Sequence, residues 1–134
     1  MLVPMQLLRI IISELLDQQT IDLKEKDGDR TLRIFIGLFE ATSIERRVRG
    51  VERPRPLTHD LIVNTVTALG AELDCVLIDG LKEHTYFAKL RLKRDGEPID
   101  VDARPSDAIA IAVTTDPPLP IWVEESVLEG KSDD

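Results

Sequence analysis

The sequence predicts an α+β domain: a mixed, mostly antiparallel sheet with about three helices packed on it, one of them central and nearly fully apolar. Three observations carry that prediction. Short apolar runs are punctuated by Asp27-Gly28 and Asp95-Gly96, dipeptides that favour the positive φ of tight hairpin turns. Two stretches, 37–49 and 58–69, repeat apolar residues at helical spacing. The run Ala108-Ile109-Ala110-Ile111-Ala112-Val113 is apolar on every side, so a helix there belongs inside the protein.

The elements follow in order. Met5–Leu16 reads as a long strand, apolar at both parities and therefore buried on both faces by the domain or by a partner subunit. Thr20–Lys26 and Thr31–Ile36 alternate, with Ile21, Leu23, Leu32, Ile34 and Ile36 facing inward. Gly37 ends the strand, and a helix follows to Arg49 on Ala41, Ile44, Val48 and Leu38, with Gly50 as its stop. Val51–Pro56 holds two prolines and is an extended connector. Thr58 is placed to cap a second helix that carries Ile62, Val66 and Leu69 and closes at Gly70. Strands are expected at Leu73–Ile78, Thr85–Lys93 and Ile99–Asp102. Pro105 opens the apolar helix, Asp116-Pro117-Pro118 ends it, and Pro120–Val123 forms a last strand. A short acidic tail fills about 124–134.

A chain of 134 residues with 43% hydrophobic residues can bury one aliphatic core, so residues 1–134 are read as a single domain. The lone Cys75 excludes an internal disulfide and a cysteine-based zinc site, and its apolar setting makes it a buried, inert thiol. Met1–Leu16 carries Arg9 and Glu14 and lacks a small-residue cleavage site, and no stretch is apolar enough to span a bilayer; a cytoplasmic address without membrane contact is expected. The net charge of −8 disfavours sequence-independent binding of nucleic acid. The charge is uneven, because Arg46, Arg47, Arg49, Arg53 and Arg55 lie close together against Glu52.

Polar residues of the kind that do chemistry gather at two helix starts. In Arg55-Pro56-Leu57-Thr58-His59-Asp60-Leu61, capping by Thr58 and the dipole preference of Asp60 account for two residues and leave His59 and Arg55 free. The same geometry could receive a phosphate. In Asp102-Ala103-Arg104-Pro105-Ser106-Asp107, capping explains Ser106 or Asp107 but not both together with Arg104 and Asp102. An Asp–Arg pair is the first expectation there, and a divalent cation held by carboxylates the second.

Those two motifs, with Pro120-Ile121-Trp122-Val123 and the earlier Ile36-Gly37-Leu38-Phe39-Glu40-Ala41, resemble the bifunctional nuclease domain family over nearly the whole chain. The resemblance implies a compact, usually oligomeric α+β domain, credited in some members with cleaving both DNA and RNA. It adds Glu40 to the candidate residues. The resulting expectation is a nuclease whose phosphodiester hydrolysis is assisted by Mg²⁺ or Mn²⁺ on Asp102, Asp107 and Glu40. His59, Asp60, Asp102, Arg104 and Asp107 form the catalytic set, while Arg55, Thr58 and Ser106 meet the substrate phosphate. The expected partners are nucleic acid and a second copy, as a homo-oligomer guessed to be a dimer. The alternative is a non-enzymatic oligomeric binding or regulatory module whose Arg–carboxylate motifs are structural. A third reading is a nucleotide or small-anion pocket without hydrolysis.

Overall fold

The computed structural model describes residues 1–13, 15, 18–50 and 55–130; seven strands and four helices lie among them. Two antiparallel meanders make the sheet. The first is β1 (Leu2–Ser13), β2 (Gln18–Glu25) and β3 (Thr31–Ile36); α1 (Leu38–Val48) and α2 (Thr58–Ala68) follow it. The second is β4 (Glu72–Lys82), β5 (Thr85–Arg94) and β6 (Glu97–Ala103), followed by α3 (Pro105–Thr114), β7 (Ile121–Glu124) and α4 (Glu125–Leu128). The short β7 joins them, pairing antiparallel with β1 and parallel with β4, so the order is β3-β2-β1-β7-β4-β5-β6. One parallel pair in an otherwise antiparallel sheet is the mixed architecture that the turn signals imply.

Period-two alternation places one residue set against the helices. Met5, Ile21, Leu23, Ile34, Val76, Ile78, Ala88 and Leu90 share one core with α3, whose Ala108, Ile109, Ala110, Ile111 and Ala112 are all buried; α3 packs on β3, β4 and β5, and α1 on β1 and β2. A helix buried along its whole length cannot satisfy polar side chains, which is why its charged groups collect at its first turn. Both α1 and α2 pack on α3.

Several boundaries differ from the sequence expectations. β1 starts at Leu2, and the domain does not cover both its faces: Leu8 is 42% and Ile11 38% exposed. Residues 14, 16 and 17, part of the expected strand, and 51–54, part of the expected connector, lie outside the described residues. Asp27-Gly28 takes no positive φ. Its loop closes through Glu25, whose backbone N–H donates to Arg30 O and whose carboxylate receives the Arg30 N–H, both at 3.0 Å. Asp95-Gly96 does take the left-handed turn (φ 53° and 79°). So do Glu83 and His84 (φ 48° and 66°), a turn without the usual Asn or Gly, which is why β4 runs four residues past the expected Ile78. The acidic tail is not all irregular, because α4 buries Val127 in the core.

Candidate functional site

Three helices begin beside one another, and each carries an acid at its third position. Glu40 in α1, Asp60 in α2 and Asp107 in α3 all lie in a first turn, where unpaired N–H groups and the positive end of the dipole favour negative charge. The starts of these helices wall an open cleft of about 1060 Å³, floored by Leu90, Val101, Ala103 and Ile111.

Each acid has an arginine. Asp60 is spent locally: its Oδ2 accepts the Leu57 N–H at 2.9 Å and its Oδ1 pairs with Arg47. Leu57, not Thr58, is therefore the N-cap residue of α2, and the Asp60 carboxylate supplies the closure that the Thr58 hydroxyl was expected to give. Arg104 spans the other two. Its Nε donates to Asp107 Oδ2 at 2.8 Å across one helical turn, and its Nη2 donates to Glu40 Oε1 at 3.2 Å. Gly37 leaves room for this, since a Cβ there would collide with the Glu40 carboxylate.

Asp107 has a further partner. His59 Nε2 stands 3.3 Å from Asp107 Oδ1, and the other ring nitrogen, Nδ1, stands 3.4 Å from Ser43 Oγ. Burial alone would raise the Asp107 carboxyl, but hydrogen bonds from Arg104 and His59 outweigh it and hold the group below the usual carboxylate range. The Asp107 bond in turn pushes the Arg104 guanidinium up. An ionised carboxylate can only accept, so Nε2 must be the donor in that bond. In a neutral ring this leaves Nδ1 with a lone pair directed at the Ser43 hydroxyl.

The expected residues thus divide. Glu40, Thr58, His59, Arg104 and Asp107 line the cleft together. Asp102 reaches only its rim: strand alternation turns Val101 and Ala103 toward the open cleft and leaves the Asp102 carboxylate, 83% exposed, 3.8 Å from Lys89. Ser106 is buried, and Arg55 is exposed beyond the cleft-lining residues. Of the polar cleft residues, Ser43 had no expectation attached to it, and Arg46 was named only as part of the basic run. Ser43 lies off the apolar stripe of α1, three residues after Glu40 and on its face, and that spacing is the one available clue.

The carboxylates expected to hold Mg²⁺ or Mn²⁺ are not arranged for one. Glu40 and Asp107 are bridged by Arg104, Asp102 stays at the rim beside Lys89, and among the described residues no three His, Cys, Asp or Glu side chains gather in a metal-holding group.

Known proteins resemble this chain over most of its length. The family model for the bifunctional nuclease domain matches residues 21–133, which include every residue of the cleft. An uncharacterized protein of Mycobacterium tuberculosis is 48% identical over 112 residues, covering 84% of this chain and 65% of that protein. Bifunctional nuclease 2 of Oryza sativa subsp. japonica is 32% identical over 114 residues, covering 82% of this chain and 35% of its own length. Bifunctional nuclease 2 of Arabidopsis thaliana is 31% identical over 103 residues, with 74% and 31% covered. The chain therefore spans about two thirds of the mycobacterial relative and about a third of the plant proteins. The match over residues 21–133, which runs through all three helix starts of the cleft, makes this chain a member of the bifunctional nuclease domain family.

Proposed function

We propose that the cleft binds nucleic acid and hydrolyses its phosphodiester bonds. The observation that carries the reading is the His59–Asp107 pair, held in an open cleft by Arg104. Asp107 fixes the tautomer of the imidazole and stabilises the imidazolium that forms when the ring takes a proton. Arg46 brings positive charge to the same wall, and the first N–H groups of α2, at Thr58 and His59, can meet a phosphate oxygen. Asp60 and Ser106 support the helix starts in this reading and do not touch substrate. The test is cleavage of single-stranded DNA and RNA by purified Asp107→Asn and His59→Ala. Each should lose at least about 100-fold in rate while keeping its circular dichroism and melting temperature. Unchanged cleavage in both variants would remove the cleft as the site.

A second reading has its own support. Arg104 is shared by Glu40 and Asp107, as a structural pair would be, and that favours a non-enzymatic binding module. Its signature is retained binding of nucleic acid without turnover in scrupulously purified protein. The dimer expectation travels with either reading. β1 pairs with β7 only over Leu2–Met5, and the remainder of that edge carries the exposed Leu8 and Ile11. Sedimentation equilibrium of the wild type and of Ile11→Lys checks it.

A further inference from the structure

Both ring nitrogens of His59 are already engaged within the protein. Nε2 is turned to Asp107 and Nδ1 to Ser43, so no ring nitrogen is left to take a proton directly from a water or a substrate hydroxyl. A proton taken up at Nδ1 in this arrangement would come from the Ser43 hydroxyl. That hydroxyl lies on the cleft wall, between Arg46 and the start of α2. The order nucleophile, base, orienting carboxylate is the arrangement that activates a serine, and it is recognised by geometry rather than by chain order. Contacts of 3.3 and 3.4 Å are the looser spacing common before substrate tightens such a site.

We infer that Ser43 is the nucleophile of this cleft, forming a covalent phosphoserine diester with the nucleic-acid backbone. The inference rests on the phosphodiesterase reading above. Ser43 Oγ forms a bond to phosphorus as its proton moves to His59 Nδ1. The bond from phosphorus to the leaving sugar oxygen breaks, and that oxygen takes the proton from His59. Water then adds to phosphorus, His59 takes its proton, and the P–Oγ bond breaks with return of that proton to Ser43. The sum is one water consumed per phosphodiester cleaved, with no oxidant, reductant or further reactant. Asp107 keeps Nε2 protonated throughout, and Arg104 keeps Asp107 in place.

The experiment uses the purified chain and a fluorophosphonate ester, in which a serine nucleophile displaces fluoride from phosphorus. Intact mass and peptide mapping should find one adduct on Ser43, absent in Ser43→Ala and slowed at least about 10-fold in His59→Ala. Ser43→Ala should cleave single-stranded DNA at least about 100-fold more slowly than wild type, with an unchanged melting temperature. No adduct on Ser43, or an equal adduct in Ser43→Ala, overturns the assignment. Wild-type cleavage by Ser43→Ala overturns it too. If His59→Ala and Asp107→Asn lose activity while Ser43→Ala keeps it, the covalent step falls and the cleft stands. If none of the three loses activity, the cleft is not where cleavage occurs, and the reading of this site falls with the covalent step.

Discussion

Asp22 and Asp107 are built from the same parts and do different work. Asp22 lies on the sheet face away from the helices, buried, with Arg9 Nε at 2.6 Å and Arg33 Nε at 2.8 Å. Asp107 opens a helix, with Arg104 Nε at 2.8 Å and His59 Nε2 at 3.3 Å. Both carboxyls are held low, but the partners differ in what they can pass on. Guanidinium groups stay protonated at any working pH, so the Asp22 cluster is electrostatically closed. An imidazole can release and take a proton, so the Asp107 cluster ends in a group that responds, and beyond it in a hydroxyl. Two charged partners on an aspartate therefore say little by themselves; the identity of the second partner and access to a cleft separate a clamp from a site.

The contrast can be broken most severely by exchanging the roles. His59→Ala or Asp107→Asn should remove nearly all cleavage with little change in stability. Asp22→Ala should do the reverse: a loss of about 1–3 kcal/mol in urea unfolding, from hydrogen bonds to a charged group, with the rate per folded molecule unchanged. If Asp22→Ala lowers turnover as much as Asp107→Asn, the distinction drawn between the two clusters is wrong.

A pH titration of stability sharpens the same point. Hydrogen bonds from Arg33, opposed by burial and joined by Arg9, lower the Asp22 carboxyl from 3.8 to about 2. Between those values the unfolded chain binds more protons than the folded one, so lowering the pH favours unfolding. The contribution of Asp22 is complete above about pH 4 and is lost as the pH falls toward 2. Urea midpoints measured from pH 6 to pH 2 should slope less steeply in Asp22→Ala than in the wild type across that window.

Smaller effects are expected at the edges of the cleft. Gly37→Ala should push the Glu40 carboxylate off Arg104. The cost in melting temperature should correspond to less than about 1 kcal/mol, because the guanidinium is largely exposed. Cleavage should change less than in His59→Ala, since Arg104 keeps Asp107. Smallest of all, Cys75 should resist iodoacetamide at pH 8 in the native state and react after unfolding. Burial, with Asp74 beside it, pushes its thiol up to about 11.

The sequence by itself determined most of the fold. Alternation in β2, β3 and β5, the Asp95-Gly96 turn, and the all-round apolar α3 required a sheet with a buried helix, because period and burial are local properties of the chain. It did not determine where β4 ends, since Glu83-His84 takes left-handed backbone without the residues that advertise it. It also named His59, Arg104, Asp107 and Thr58, cleft residues that carry unusual chemistry next to helix starts, while Glu40 was added by the family resemblance.

Tertiary structure decided what those residues touch. Asp60 and Asp107 hold equivalent positions in their helices, yet one closes a cap and the other meets a histidine 48 residues away. Asp102 looked equal to Asp107 until strand alternation left its carboxylate exposed at the rim of the cleft, beside Lys89. Ser43 carried no signal beyond its spacing from Glu40, because a serine on a helix is ordinary until packing sets an imidazole against it. Partnership across the chain depends on how α1, α2 and α3 meet, and that meeting is fixed by the aliphatic core beneath them rather than by the polar residues it brings together.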